Sequence, residues 1–310
     1  MTDPNSPTCP SVPLVVSVIL NTSRRDDTLE CLRSLESTTY SNHRALVLDN
    51  ASTDGSVDAI HAAFPAVRVL PLPSNLGYAG NNNVGIEAAL SAGADWVFVL
   101  NEDVVLAPDC LTRLMEVGES DEKIGIVGPM VYHHSEPDII QSAGGKLSPA
   151  WDSFHLGQNA RDEGQFARPH DVDWISGCAI LIRRPVIEQV GTIDPRYFYF
   201  WEETDWCMRA GKAGWRIVQV PGAKIWHKGV QRDYRPAPAV TYYATRNRLL
   251  TLAKHHAPVR VRLLAWLQIL RTLASWTVRP KWRGMGQHRR AMWRGAADYV
   301  LGRWGGPVRL

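Results

Sequence analysis

The chain has 310 residues, 45% of them hydrophobic and 21% charged, with a formal net charge of +3. That balance excludes a disordered chain and fits one large domain or two ordinary ones, and so small a charge gives no support to nucleic-acid binding. Five cysteines (Cys9, Cys31, Cys110, Cys178, Cys207) form no CxxC pair and are odd in number, which argues for reduced thiols rather than a disulfide framework or a zinc site. Residues 1–12 read as a flexible polar tail without the basic and then apolar blocks of a signal peptide. No apolar run reaches the roughly eighteen residues of a spanning helix.

In chain order, residues 14–20 (LVVSVIL) read as a buried strand that ends on Asn21 and Thr22. Asp26 or Asp27 is placed to cap a helix in which Leu29, Leu32 and Leu35 recur. A second strand over 45–48 closes on Asp49 and a turn-rich run to Ser56; a helix through Val57, Ile60 and Phe64 and a third strand over 67–72 follow. The loop 75–83 leads into a helix through Ala89, and a fourth strand over 97–100 stops on Asn101-Glu102-Asp103. Strand and helix alternate four times, which predicts an α/β, doubly wound, mostly parallel sheet. Neither a GxGxxG fingerprint after the first strand nor a P-loop lysine is present.

Polar acceptors at strand ends lie where open α/β sheets bind ligands. Asp103 there suits a divalent cation between protein and phosphate, and Asp49 suits a base or ribose. Helix caps and Asx-turns explain each acid singly. Residues 135–170 are polar and aperiodic, an excursion assigned to the rim of an acceptor site. A strand over 179–182 is followed by Pro185 at a helix start. Aromatic residues 197–201 then run into Glu202, Glu203 and Asp205, a setting that raises carboxyl pKa values as a general base requires. An acidic helix N-terminus explains the same residues, with the helix expected from Thr204 to Gly214. Short strands over 215–220 and 224–226 end on His227, either a structural histidine or a metal ligand.

The segments VSVILNTSRR, LVLDNASTDGS, NLGYAGNNNVGI, FVLNEDVVL, SGCAILIRR, VGTIDPRYFYFWEETDWCMRAGKAGW, PGAKIWHKG and YYATRNRLL are each weak signals. In this order they resemble a family 2 inverting glycosyltransferase of the GT-A fold, of the bacterial rhamnosyltransferase-like kind, over residues 16–247. The resemblance implies a catalytic domain over 13–235, with a nucleotide-binding half (13–103) and an acceptor half (104–235), followed by a helical segment over 236–310. It implies that Thr22, Asp49, Asn75, Gly77, Asn83, Asn101 and Glu102 surround the nucleotide diphosphate. Asp103 and His227 would hold Mg²⁺ or Mn²⁺, and Glu203 would be the catalytic base, with Glu202 or Asp205 as alternates. Two positions depart from the family pattern: Asn101 stands where the metal motif begins with aspartate, and Glu202-Glu203 replaces Glu-Asp. The implied donor is a dTDP- or UDP-sugar, with dTDP-rhamnose first. The implied acceptor is a saccharide or lipid-linked saccharide in cell-surface polysaccharide synthesis. A nucleotidyltransferase and a non-catalytic sugar- or membrane-binding module on the same fold are the competing readings.

From Lys254 onward twelve basic residues face one acid, Asp298, with Trp266, Trp276, Trp282, Trp293 and Trp304 interleaved. Such a segment suits the anionic inner face of a membrane, which places the protein in the cytoplasm at that face. Alternatively, Leu263, Leu264, Leu267 and Leu270 pack it onto the catalytic domain or a second copy in a homodimer. Arg246 and Asn247 belong to the resembling pattern, and an acceptor phosphate is one reading of Arg246.

Overall fold

A computed structural model describes residues 12–308; the tail expected over 1–12 lies outside them except for Val12, as does Arg309. The first 101 residues contain β1 (Val15–Asn21), α1 (Arg25–Glu36), β2 (His43–Asp49), α2 (Ser56–Ala63), β3 (Arg68–Pro71), α3 (Gly77–Ser91) and β4 (Trp96–Asn101). Then come β5 (Val104–Leu106), α4 (Cys110–Gly118), β6 (Ile124–His133), β7 (Glu136–Ser142), β8 (Gly145–Leu147), β9 (Ser153–His155), β10 (His170–Asp171) and β11 (Ala179–Arg183). α5 (Arg184–Val190), α6 (Glu202–Lys212) and β12 (Arg216–His227) complete the α/β part, and α7 (Pro238–Lys254), α8 (Val259–Val278) and α9 (Gly286–Val300) follow.

The main sheet runs β10-β12-β6-β11-β4-β1-β2-β3. β3, β2, β1 and β4 are parallel, β11 is antiparallel to β4 and β6, and β12 returns parallel to β6. The central strands are buried on both faces, which is why they read as unbroken apolar runs. Val15, Ile19, Val47 and Phe98 pack on one face with Leu32, Leu35, Ile60 and Leu111 of α1, α2 and α4. Val16, Val18, Leu48 and Val99 pack on the other with Ile86, Ile187 and Trp206 of α3, α5 and α6.

Several expected boundaries move. The α1 N-cap is Arg24, not Asp26 or Asp27, which lie in the first turn where negative charge favours the helix dipole. α3 begins at Gly77, inside the expected loop, and α6 begins at Glu202, two residues before Thr204. The two short strands expected around Pro221-Gly222 form one strand, β12, with a register shift between Val220 and Lys224. The polar excursion 135–170 is not irregular: β7 pairs with β6, β8 with β9, and β10 with β12. Its Ile140, Ala143, Leu156 and Phe166 pack on Met130, Tyr132 and Trp226.

The last three helices form a layer of their own around Leu249, Leu252, Val261, Ala265, Ile269 and Ala296. Gly295 lets α9 lie close to α7, since a Cβ there would stand 2.6 Å from the Tyr242 carbonyl. Leu263, Leu264, Leu267 and Leu270 do not pack onto the catalytic core; they are 47–64% exposed, because the buried side of α8 is the Val261–Ala265–Ile269 row. Among the described residues no helix is long and apolar enough to cross a membrane.

Candidate active site

The carboxyl ends of β1 and β4, the start of α3, residues 198–199 and the chain after β12 enclose a cleft of about 470 Å³. Thr22, Arg24, Asn75, Gly77, Asn101, Glu102, Asp103 and His227 all line it. A larger hollow of about 600 Å³ at the other end of β1 and β2 has a mostly apolar lining with one acid, Glu36. The cleft thus carries the concentration of acids.

Asp103 is buried between two cations or potential cations. Its Oδ2 is 2.5 Å from Arg24 Nη1 and its Oδ1 is 3.2 Å from His227 Nε2. Burial pushes its carboxyl up, but His227 and Arg24 more than offset that and hold it below the ordinary carboxylate range. Gln141, in β7, fixes the imidazole. Its Nε2 donates to the Val230 carbonyl at 2.6 Å, which turns Oε1 toward His227 Nδ1 at 2.9 Å. An amide oxygen only accepts, so Nδ1 carries a hydrogen, while Nε2 donates to Asp103 when it too is protonated and offers its lone pair to a cation when it is not. Two acceptors converging in this way, with the far ring nitrogen donating to an amide oxygen, form a donor set that suits a cation. Gly229 keeps the space open, because a Cβ there would stand 2.5 Å from Asp103 Oδ2 and 3.2 Å from His227 Nε2. No group of three His, Cys, Asp or Glu able to hold a metal occurs among the described residues. The donor set therefore fits Mg²⁺ or Mn²⁺ only when phosphate or water oxygens complete the shell.

The neighbouring residues shape the rest of the cleft wall. Thr22 Oγ1 donates to Glu102 Oε1 at 2.5 Å, and burial raises the Glu102 carboxyl. Asn75 Oδ1 accepts from the Gly77 N–H at 2.9 Å, which starts α3. Gly77 has φ +74°, and a side chain there would collide with Phe198. Asp49 is 7% exposed and accepts from Asn21 Nδ2 (3.0 Å) and the Ser52 N–H (3.3 Å), the Asx-type geometry of the alternative reading. Its neighbour Asn50 lines the cleft. Asn83 is placed elsewhere: its amide is clipped to both backbone groups of Ile193, and Asn81 takes its place on the cleft wall.

Across the cleft, Glu202 and Glu203 open α6. Among the described residues no side chain bonds or ion-pairs with the Glu203 carboxylate, which is met only by its own and the Thr204 backbone N–H, and Glu202 Oε2 is buried without a partner. Burial pushes Glu203 up to about 7. Burial, followed by the neighbouring Glu203 charge, pushes Glu202 well above the ordinary range. Glu203 does not line the cleft itself but lies beside its wall: a Cβ at Gly177 would stand 3.7 Å from Glu203 Cβ and 3.2 Å from the hydroxyl of Tyr78, which does line it. Asp205 is a correction to the expected candidates. It is fully buried beneath α6 and accepts from His255 Nε2 (2.8 Å), Lys254 Nζ (2.8 Å) and Arg209 Nε (2.9 Å), leaving it a structural anion away from the cleft.

The segment that delivers the acid pair is held from α7. Phe198, Phe200 and Trp201 all have positive φ, an uncommon and costly conformation for bulky residues. Asn247 Nδ2 donates to the carbonyls of Tyr197 (2.9 Å), Tyr199 (2.8 Å) and Phe200 (2.7 Å), and Arg246 Nη2 to those of Arg196 (3.0 Å) and Tyr197 (2.8 Å). Arg246 is fully buried, with its guanidinium over the rings of Tyr242 and Tyr243, so it does not meet an acceptor phosphate. Arg24, Gln141 and Gly229 were not read as site residues in the sequence. Only Arg24 and Gly229 fall inside quoted motifs; Gln141 lies in the aperiodic excursion and gave no signal.

A mixed sheet with its acids gathered over the strand ends defines a GT-A-like sugar-nucleotide transferase architecture. A mannosyltransferase from Pyrobaculum calidifontis, solved with GDP-Man and Mn²⁺, shares this fold at a TM-score of 0.59 and 14% identity, covering 94% of this chain and 88% of that one. Residues 15–191 match glycosyl transferase family 2, and the chain belongs to that family and is a glycosyltransferase. It is 36% identical over 217 residues to the N-acetylglucosaminyl-diphospho-decaprenol L-rhamnosyltransferase of Mycobacterium tuberculosis, across 63% of this chain and 70% of that protein. It is 24% identical over 257 residues to the dTDP-rhamnosyl transferase RfbF of Shigella flexneri, across 80% of this chain and 84% of that one.

Proposed function

We propose that the chain transfers a deoxyhexose, rhamnose from dTDP-rhamnose before a UDP-linked sugar, to a hydroxyl of a lipid-linked saccharide, with inversion. The relatives' names support the sugar and the lipid-linked acceptor. The observation that carries the chemistry is the placing of two unlike acids: Asp103 against Arg24 and His227, and Glu203 at the start of α6 with no side-chain partner among the described residues, its carboxyl raised by burial to about 7. Glu203 takes the proton of the acceptor hydroxyl as that oxygen bonds to the anomeric carbon. The bond from that carbon to the diphosphate oxygen breaks on the opposite face, and the nucleoside diphosphate leaves with the electron pair. Proton removal of this kind contributes about 10²–10⁴-fold.

Asp103 and His227 would hold Mg²⁺ or Mn²⁺, with Asn101 beside them as a neutral oxygen donor. The ion, when bound, neutralises charge on the departing diphosphate. Arg24, already against Asp103, supplies a second positive charge to the same phosphates. Thr22, Asn75 and the Asp49–Asn50 turn border the nucleoside, and burial keeps the Glu203 base able to hold the proton it takes. The acceptor lipid places the reaction at the cytoplasmic face of the membrane, in cell-surface polysaccharide synthesis.

Thermal stabilisation by dTDP, UDP and GDP, each with and without Mn²⁺, tests the donor side. A shift with dTDP that requires Mn²⁺ and disappears in Asp103→Ala is expected. Normal transfer rates in both Asp103→Ala and Glu203→Gln would sink the site assignment.

A further inference from the structure

α8 is apolar on two opposite sides. Val261, Ala265 and Ile269 face the helical layer, while Leu263, Leu267 and Leu270, with Val259 above and Val278 below, point away from it at 50–77% exposure. Single exposed leucines are ordinary, but a continuous row on one helix signals a missing apolar neighbour. The row continues onto α9. A groove of about 520 Å³ between the helices is lined by Leu270, Ala274, Val278 and the 63%-exposed Trp293, with Arg289 and Arg290 at its side.

The charge around this face has one sign. Among the described residues no carboxylate pairs with Arg260, Arg271, Arg279 or Arg290. Asp298, the single acid after Lys254, is already bonded by the Tyr242 hydroxyl and lies 3.5 Å from Arg303. Lys254 points inward to Asp194 and Asp205. A second copy of the chain meeting this face about a twofold axis would set the same cations against each other. An anionic lipid surface instead takes leucine and tryptophan side chains below its headgroups and arginines at its phosphates.

We infer that the outward face of α8, continued by Trp293 of α9, seats the protein on an anionic lipid bilayer. This deepens the proposed function and rests on it for the purpose of the contact, while the contact itself is measurable without a sugar. The same layer grips the segment ahead of Glu202 through Arg246 and Asn247 of α7, so the element that meets lipid is one helix away from the element that positions the base.

The test uses the full chain and co-sedimentation with vesicles of phosphatidylcholine alone or mixed with phosphatidylglycerol. Binding to the anionic vesicles that weakens with salt is expected, with little binding to phosphatidylcholine. Leu263→Glu combined with Leu267→Glu lowers that partition about tenfold or more. Arg271→Gln combined with Arg290→Gln lowers it about fivefold per charge and guards against a leucine variant that misfolds. Both variants keep the nucleotide-dependent thermal shift of the parent. Undiminished vesicle binding in both variants overturns the inference. So does a dimer that the leucine variant converts to monomer with vesicle binding untouched. A parent that binds anionic vesicles through these residues but shows no nucleotide shift supports the surface and counts against the proposed donor.

Discussion

Asp103, buried in the cleft, and Glu203, half-buried at the start of α6, are both carboxylates near the strand ends, yet their surroundings do opposite things. Asp103 lies against Arg24 and His227 and stays ionised; Glu203 has no side-chain partner among the described residues and holds its proton to higher pH. Burial alone raises both, so the partners decide the difference. One fold can therefore hold one carboxylate ionised and leave another able to take up a proton by where it places an arginine and a histidine.

The largest expected effect breaks the Glu203 side. Glu203→Gln should lower kcat by about 10²–10⁴ while leaving the nucleotide thermal shift intact. It should also stabilise the protein at pH 8 and hardly at all at pH 4. The folded carboxyl, with its pKa near 7, binds its proton more tightly than the unfolded one, so the parent loses stability as pH rises between those values. Denaturant melts at the two pH values would show the gain, of about 1–3 kcal/mol.

Next in size is the support behind that acid. Asn247→Ala leaves the Tyr199 and Phe200 carbonyls without their donor and the Tyr197 carbonyl with Arg246 alone, and should cost about 2 kcal/mol in urea unfolding. At equal folded fraction it should lower kcat more than it changes KM, because Asn247 holds the segment that leads into Glu203 while Thr22, Asn75 and Asp103 lie on other elements of the cleft.

On the Asp103 side, Gln141→Leu removes the acceptor that fixes the His227 ring. Mn²⁺ affinity, read by titrating the nucleotide thermal shift, should weaken about 10–100-fold, and Gln141→Glu, which restores an acceptor, should recover most of it. The smallest effect sharpens the contrast without mutation. Between pH 8 and 7 kcat should fall about twofold, and then about tenfold per unit below pH 6.5, as Glu203 takes up its proton. A flat profile there would place the base elsewhere.

The nucleotide half was legible because its strands are buried on both faces and each ends in a polar signal; residues 14–20 and 97–100 fall within one residue of β1 and β4 apart from frayed ends. Asp103, His227 and the acid pair were legible through motif order. What escaped depended on contacts distant in sequence. Gln141 meets His227 from 86 residues away, and Arg24 meets Asp103 from 79. Asp205 looked equivalent to Glu203, two positions earlier, but a helix turns through about 200° in that distance and aims it at the α7 cations instead. The two faces of α8 were equally apolar in sequence, and only packing shows which one the chain covers.

The three carbonyls held by Asn247 also bear on how this protein could be divided or recombined. A cut near residue 235 would follow the change in composition, yet it would release the backbone of Phe198, Phe200 and Trp201 from the conformations that aim Glu203. A hybrid enzyme that takes its first 235 residues from this chain and its tail from a relative inherits a mismatched clamp, and its missing activity would be misread as a change of acceptor preference. The exchangeable unit is residues 193–308 as one block, with the helical layer and the acid pair travelling together.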